Sequence, residues 1–508
     1  MHTITSFLEE KPVKREIRVK SKSKYLSLWM VFLFWMMLWT TSNAVRGLDG
    51  GFLAISNSNA NWSQAHWETE LEAMRTIGMN TIIISNSVNT TYSYYSGCSL
   101  SGVSTAGDCV DKIMNIAQAH NMKVIIGMYS DNYWWSISRD SAFLTSIYAM
   151  DTQVINDLWS KYSSNSALLG WYIVQETDNG TDEGTRQAIA KYMLKPISDY
   201  AKAKSPALHV SIAPYIYPSY ATPVQFGDIW IKNFNEAPNL DLLIPQDGVG
   251  AFANNFSQVS AYFRELKRAC DSTGRTLWSD LEIFDNTTTW GPTPISRVTT
   301  QILSEAPYVA GFTCWEYLYY ISPYRGGNEE NLYIDYLRYL FGNESTYQNV
   351  ARGKSYTVSP AQHNNYQDDG VKLTDGSSGF SYSNDVGWYN PGSNPTIIVD
   401  LGTVKNGLYE VKSYHMHADG AWVDLPLRCD IYSSTNGSTY TLVGSSYAVE
   451  TMDNDSDLFR WKGTPFSARY VKMVLIPSST RFVFISEIAI SQIYQPPSSI
   501  KNWEILAD

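Results

Sequence analysis

Basic residues are few and unevenly placed in this sequence, and that scarcity closes off several functions. Lys and Arg number 38 against 49 Asp and Glu, a net charge of -11. Seven of the basic residues fall within residues 11–24, so the remainder is markedly acidic. It has no basic stripe of the kind that grips nucleic-acid phosphates. Cysteine is scarce too, at Cys98, Cys109, Cys270, Cys314 and Cys429, and no pair has the spacing of a metal knuckle. An odd total leaves at least one thiol unpaired unless it bonds another chain. A G-x-S-x-G elbow, an H-E-x-x-H helix and a Gly-rich loop after the first apolar strand are all missing. Esterase, zinc-hydrolase and dinucleotide-binding readings lose their support with them. Few Arg residues fall at strand ends, which counts against a lyase acting on uronates.

What is abundant is aromatic: 17 Trp, 35 Tyr and 18 Phe in 508 residues. After the basic run comes the apolar stretch Tyr25–Trp39, then Thr-Thr-Ser-Asn-Ala44, with Ser42 and Ala44 at the -3 and -1 positions of a cleavage site. Residues 1–44 therefore read as a signal peptide or a retained signal anchor. Either exports the rest, so the expected location is secreted or at the extracellular surface, with membrane contact only if the segment is uncleaved. Asn-x-Ser/Thr matches such as Asn61, Asn89 and Asn179 could carry glycans if the host glycosylates.

Residues 48–345 alternate apolar strands with amphipathic helical stretches. Strands are expected at 51–55, 81–84, 123–129, 168–174, 208–213, 241–245, 276–281 and 309–315. Helices are expected between them, for example over 67–77, 143–162, 259–269 and 295–305. Eight strands in this order predict an α/β (β/α)8 TIM barrel. From about residue 353 to 491 short β-rich runs between Gly, Asn, Asp and Ser replace the helical pattern, which predicts an all-β sandwich. Residues 492–508 read as a C-terminal tail. Cys98 and Cys109 flank a Gly/Ser/Thr-rich loop that a disulfide between them would staple.

Chemistry in such a barrel sits at the C-terminal ends of the strands. Glu176 closes the fourth, after Trp171-Tyr-Ile-Val-Gln175, and Glu282 closes the seventh. An acid after an apolar run is partly desolvated and keeps the proton that a general acid needs. Glu282, across the mouth, is the expected nucleophile, with Asp247 the substitute for either role; a gap near ~5 Å between the two acids means retention and a wider one inversion. Gln175, Gln246, Asp247, Asp280, Trp315, Glu316, Tyr133, Trp134 and Tyr215 are expected to hold sugar hydroxyls or stack on sugar faces. Asp280 stands two residues before Glu282, on the same side of a regular strand. No metal-spaced cluster appears in the barrel, so no cofactor is expected for catalysis.

Gly50-Gly-Phe-Leu53, Asn61-Trp62, Met79-Asn-Thr-Ile-Ile83, Trp171–Glu176, Pro245-Gln-Asp-Gly-Val-Gly250 and Leu277-Trp-Ser-Asp-Leu-Glu282 together resemble a family of exported barrel proteins of undefined function described as glycoside-hydrolase-like. The resemblance spans roughly 48–340 and implies Glu176 as acid and Glu282 as nucleophile. It departs at Gln175, where the wider retaining-glycosidase superfamily usually has Asn. Lys372-Leu-Thr-Asp-Gly376, Trp388, Ile398-Val-Asp-Leu-Gly402, Arg469-Tyr-Val-Lys-Met473 and Ile485-Ser-Glu-Ile488 resemble the discoidin, or coagulation factor 5/8 type C, galactose-binding-like sandwich. That resemblance implies a structural Ca2+ held by Asp369, Asp375, Glu487 and backbone oxygens near Lys372. It also implies glycan contact by Trp388, Tyr389, His415, His417 and Trp422. The combined expectation is hydrolysis of glycosidic bonds in an extracellular polysaccharide or glycoconjugate. The alternative is a non-catalytic glycan-binding protein.

Overall fold

The computed structural model describes residues 46–286, 290–341, 348–379, 381–449 and 455–492. The expected signal segment 1–44 and the tail beyond Gln492 lie outside them. Eight parallel strands follow the chain in order: β1 (Gly50–Leu53), β2 (Thr81–Ile84), β3 (Lys123–Gly127), β4 (Leu168–Ile173), β5 (His209–Ile212), β6 (Leu242–Leu243), β7 (Thr276–Glu282) and β8 (Gly311–Trp315). The last strand returns to the first, where the Asp49 N–H donates to the Phe312 carbonyl at 2.8 Å. The fold is the expected (β/α)8 barrel.

The strands form where the sequence is almost continuously apolar, because parallel strands are covered on both faces. Outward residues such as Ile82, Ile84, Val124 and Ile126 pack beneath the helices. Inward residues, among them Phe52, Ile83, Ile125, Tyr172, Ile244 and Trp278, fill the barrel axis. The Phe52 and Tyr172 rings meet edge to face at 5.4 Å, so the lumen is packed below the mouth. Gly127 is required at the end of β3, since a Cβ there would stand 2.3 Å from the Ile84 carbonyl oxygen. Polar caps start the helices. Ser63 accepts from His66 N–H, Asp140 from Ala142 and Phe143, and Thr222 forms a capping box with Gln225.

The C-terminal half is the expected antiparallel sandwich, with strands β9 (Tyr356–Ser359), β10 (Val386–Tyr389), β11 (Thr396–His417), β12 (Pro426–Ser434), β13 (Thr441–Ala448), β14 (Asp455–Pro477), β15 (Phe482–Ile485) and β16 (Glu487–Gln492). The large sheet runs β16-β11-β14-β12-β13 with β9 on β11, and β10 pairs with β15. Trp388, Ile397, Val399, Phe459 and Ile485 lie in its core. Two calls are corrected in these regions. Cys98 and Cys109 are free thiols: Cys109 is buried with its Sγ toward the Tyr94 carbonyl, and short strands Tyr92–Ser93 and Ser104–Thr105 hold the loop instead. Trp388 is core, its indole N–H donating to the Pro360 carbonyl, and His415 is buried between Ser413 and the Phe484 carbonyl.

Charged side chains of the sandwich reach the barrel. Lys412 is fully buried, with its ammonium 3.0 Å from Glu330 and 3.0 Å from the Pro323 carbonyl. Arg460 bonds Glu410 at 2.6 Å and extends to Thr69 at 3.1 Å and Glu72 at 3.3 Å. Removing one member of a buried pair strands the other charge, which costs about 3–5 kcal/mol. Lys412→Ala is therefore expected to lower stability by that amount in denaturant titration, with Lys412→Ala/Glu330→Gln recovering part of it.

Candidate functional site

Strand ends and the turns after them build a cavity of about 390 Å³ at the C-terminal mouth of the barrel. Phe52, Trp134, Trp135, Tyr172 and Trp315 form its aromatic walls. Its polar lining comes from Ser85, Asn86, Asp131, Gln175, Glu176, Gln246 and Asp280. Glu176 follows β4 after two further residues and is half-buried. Gln246, past β6, donates its amide N–H to Glu176 Oε1 at 2.9 Å, and the Trp134 indole N–H holds the Glu176 carbonyl at 2.7 Å. Burial raises the Glu176 carboxyl above its ordinary range, and the Gln246 bond opposes this.

Asp280 occupies the inward position of β7 beyond Trp278. It is buried, its Oδ1 receives a long 3.4 Å bond from the Thr313 hydroxyl, and its Oδ2 has no partner among the described residues. Burial first, then the charges of Glu282 and Asp247, push it well above the carboxylate range. Gln175 also lines the cavity. Its amide donates to the Tyr129 carbonyl at 2.8 Å, while its Oε1 is unpartnered.

Glu282 is not part of this lining. The chain turns at Gly248 (φ 68°) into a short helix, Val249–Phe252, and the Ala251 N–H donates to Glu282 Oε2 at 2.5 Å. A Cβ at Gly248 would lie 2.2 Å from the Asn254 amide, so the turn needs glycine. Asp247 is buried behind the mouth as well. It accepts from Val249 N–H at 3.0 Å and from the Gln301 amide at 2.5 Å. Burial raises Asp247 to about 6 against the bonds from Gln301 and Val249, and burial followed by the Asp247 charge raises Glu282 to about 8. Arg297 gives its guanidinium to the Glu282 and Phe284 carbonyls.

The other expected contacts divide. Trp134 and Trp315 line the cavity. Tyr133 is exposed outside the lining, and Tyr215 lies in a row of rings leading away from it: Trp135 to Tyr215 at 5.9 Å, Tyr215 to Phe252 at 5.7 Å, and Phe252 to Tyr217 at 4.7 Å. Glu316 faces inward to the backbone. It accepts from Ala54 N–H at 3.2 Å and Leu318 N–H at 3.1 Å and caps the helix Tyr317–Tyr320. Asn86 and Ser85 were missed by sequence reasoning; their signal was their place directly after the apolar run of β2.

The expected calcium ligands are partly engaged within the sandwich, while Glu487 keeps one buried oxygen without a partner among the described residues. Asp369 and Asp375 are exposed and close their own turns, on Val371 and Lys372 N–H and on Ser377 N–H. The Lys372 ammonium goes to the Gln367 carbonyl, and Glu487 is buried, accepting from Gly376 N–H at 3.1 Å. Among the described residues His417, Asp419 and Asp424 come within ligand reach of one another, and the Arg481 guanidinium already lies 3.1 Å from Asp419 and 3.2 Å from Asp424.

Raised carboxyls have a consequence for stability. Glu282, Glu316 and Asp151 titrate near 8 and Glu70 near 7 in the fold, against about 4 when unfolded. Between those values the folded state binds more protons, so stability falls as pH rises. These groups are expected to lower the melting temperature as pH rises from about 4.5 to about 8, and Glu282→Gln to flatten part of that slope in calorimetry.

Comparison with known proteins adds the following. No curated protein gives a significant match. Among solved structures, a candidate alpha-L-fucosidase from Bacteroides thetaiotaomicron is 22% identical with a TM-score of 0.49, over 59% of this chain and 96% of its own. A carbohydrate-binding module, CBM32-1, from a family 31 glycoside hydrolase of Clostridium perfringens is 19% identical with a TM-score of 0.23, over 29% of this chain and 99% of its own. Residues 48–326 match the family described as domain of unknown function DUF4434, more than half of the sequence, and the chain belongs to that family.

Proposed function

We propose that the barrel hydrolyses glycosidic bonds, with Glu176 as general acid and Asp280 as the carboxylate facing the anomeric carbon. One observation carries the reading: both carboxyl groups line a single cavity whose walls are aromatic. Rings offer flat apolar faces to sugars, and paired carboxyls are what glycoside cleavage requires. Glu176, raised by burial, holds a proton to give to the leaving oxygen. Asp280 supplies negative charge against the positive charge that develops on the sugar ring. The row from Trp135 through Tyr215 and Phe252 to Tyr217 suits a chain of sugars extending out of the cavity.

Glu282 loses the nucleophile role in this reading because it does not line the cavity and its carboxyl is occupied by Ala251 N–H. The same displacement favours the second reading, a barrel that binds glycans without cleaving them.

Reducing-end release from a polysaccharide panel separates the two. Glu176→Gln and Asp280→Asn are each expected to lose about 10²–10⁴-fold in rate, with Glu282→Gln within about tenfold of the parent. A reversed order, with Glu282→Gln dead and Asp280→Asn active, returns the role to Glu282. Retained glycan binding with no release by the parent leaves the binding reading. The productive state needs Glu176 protonated while Asp280 is ionised; both are raised, Asp280 the further, so that state is the minority form until a developing positive charge favours the Asp280 carboxylate. The pH optimum is therefore expected above about 4.5, the range of unperturbed carboxyls.

A further inference from the structure

The formal charge on the cavity's lining is of one sign. Its charged lining consists of Asp131, Glu176 and Asp280, and no Lys, Arg or His lines it among the described residues. The unpartnered buried polar atoms of its lining, Asp280 Oδ2 and Gln175 Oε1, are both acceptors. Asp131 is held in place by the Tyr129 hydroxyl at 3.0 Å and the Tyr133 N–H at 2.8 Å. Arg139 and Arg297 stand outside the lining, Arg139 with its Nη1 unpartnered among the described residues. The Arg139 guanidinium lies over the Trp134 and Trp135 rings, 5.4 and 5.1 Å from their centroids, and Arg297 serves the carbonyls behind β7.

A site of this composition is satisfied by a ligand that brings donors and positive charge. A protonated amine carries three donors and no acceptor, and it removes the repulsion among the carboxyl groups. A uronate or sulfated ring would add a further anion with no cation to meet it. Resting on the reading of the ligand as a sugar, we propose that this cavity takes an amine-bearing sugar, a free hexosamine, in preference to a neutral ring and against an acidic one.

An ammonium placed against Asp280 favours the ionised carboxylate, so a proton is expected to leave on binding. Calorimetric titration of the full chain at about pH 6, below the pKa of an ordinary α-amino group, tests this with six probes. These are glucosamine, glucose and glucuronate, and galactosamine, galactose and galacturonate. In at least one series the amine is expected to bind about tenfold tighter than its neutral partner, with the acid weakest, and the binding enthalpy to shift with buffer as a proton leaves. Asp280→Asn is expected to bring the amine close to the neutral sugar. Asp131→Asn, at a half-buried position, does the same in part and guards against an Asp280 variant that fails to fold.

An amine no tighter than its neutral partner in both series, an acid at least as tight as the neutral ring, or no binding of any probe overturns the proposal. Its failure is separate from that of the hydrolase reading. Binding order is read without turnover, whereas the hydrolase reading is judged by the rate of reducing-end release.

Discussion

Buried carboxyl groups near the end of β7 cannot all be charged at once, and the architecture of the mouth follows from how that conflict is resolved. Asp247, Asp280, Glu282 and Glu305 are all buried there, and Arg297 is the cation acting on Asp247 and Glu282. Bonds from backbone N–H groups and neutral side chains hold three of them. Asp247 has Val249 and Gln301, Glu282 has Ala251, and Glu305 has the Ser279 hydroxyl. Asp280 and Glu305 each keep one oxygen without a partner among the described residues, and of the two only Asp280 lines the cavity. A carboxyl that the protein does not satisfy, on the wall of a cavity, is the one available to a ligand.

This sorting also marks what sequence could and could not reveal. Eight strands were legible because a parallel sheet writes itself as apolar runs, and Glu176 because it stands just past the fourth. Asp280 and Glu282 share one face of β7 by alternation, so local pattern treats them alike. What separates them is the left-handed turn at Gly248, which brings the Ala251 N–H from 31 residues away onto Glu282. Glu316 is similar: its role is fixed by Ala54, 262 residues distant, and by a four-residue helix too short to have its own signature. Asp369 could have been read from Asp-Asp-Gly-Val, since an Asp two and three residues before free N–H groups closes its own turn.

The contacts between barrel and sandwich were illegible for the same reason of distance, yet they bear on the site. Helix Gln64–Thr76 is held from two sides. Glu70, buried and near 7, accepts from the Ser322 hydroxyl, while Thr69 and Glu72 receive Arg460 and Lys462 of the sandwich. The segment after β8 is held likewise, through Lys412 on the Pro323 carbonyl and Ser378 on the Arg325 carbonyl. That segment begins at Trp315, a wall of the cavity, and Glu316, which bonds it to β1. The sandwich therefore holds the segment that follows Trp315 through buried charge. The two halves of the chain are thus joined by Lys412 and Arg460, residues about a hundred or more positions beyond the last lining strand of the cavity, and losing either cation strands its carboxylate partner.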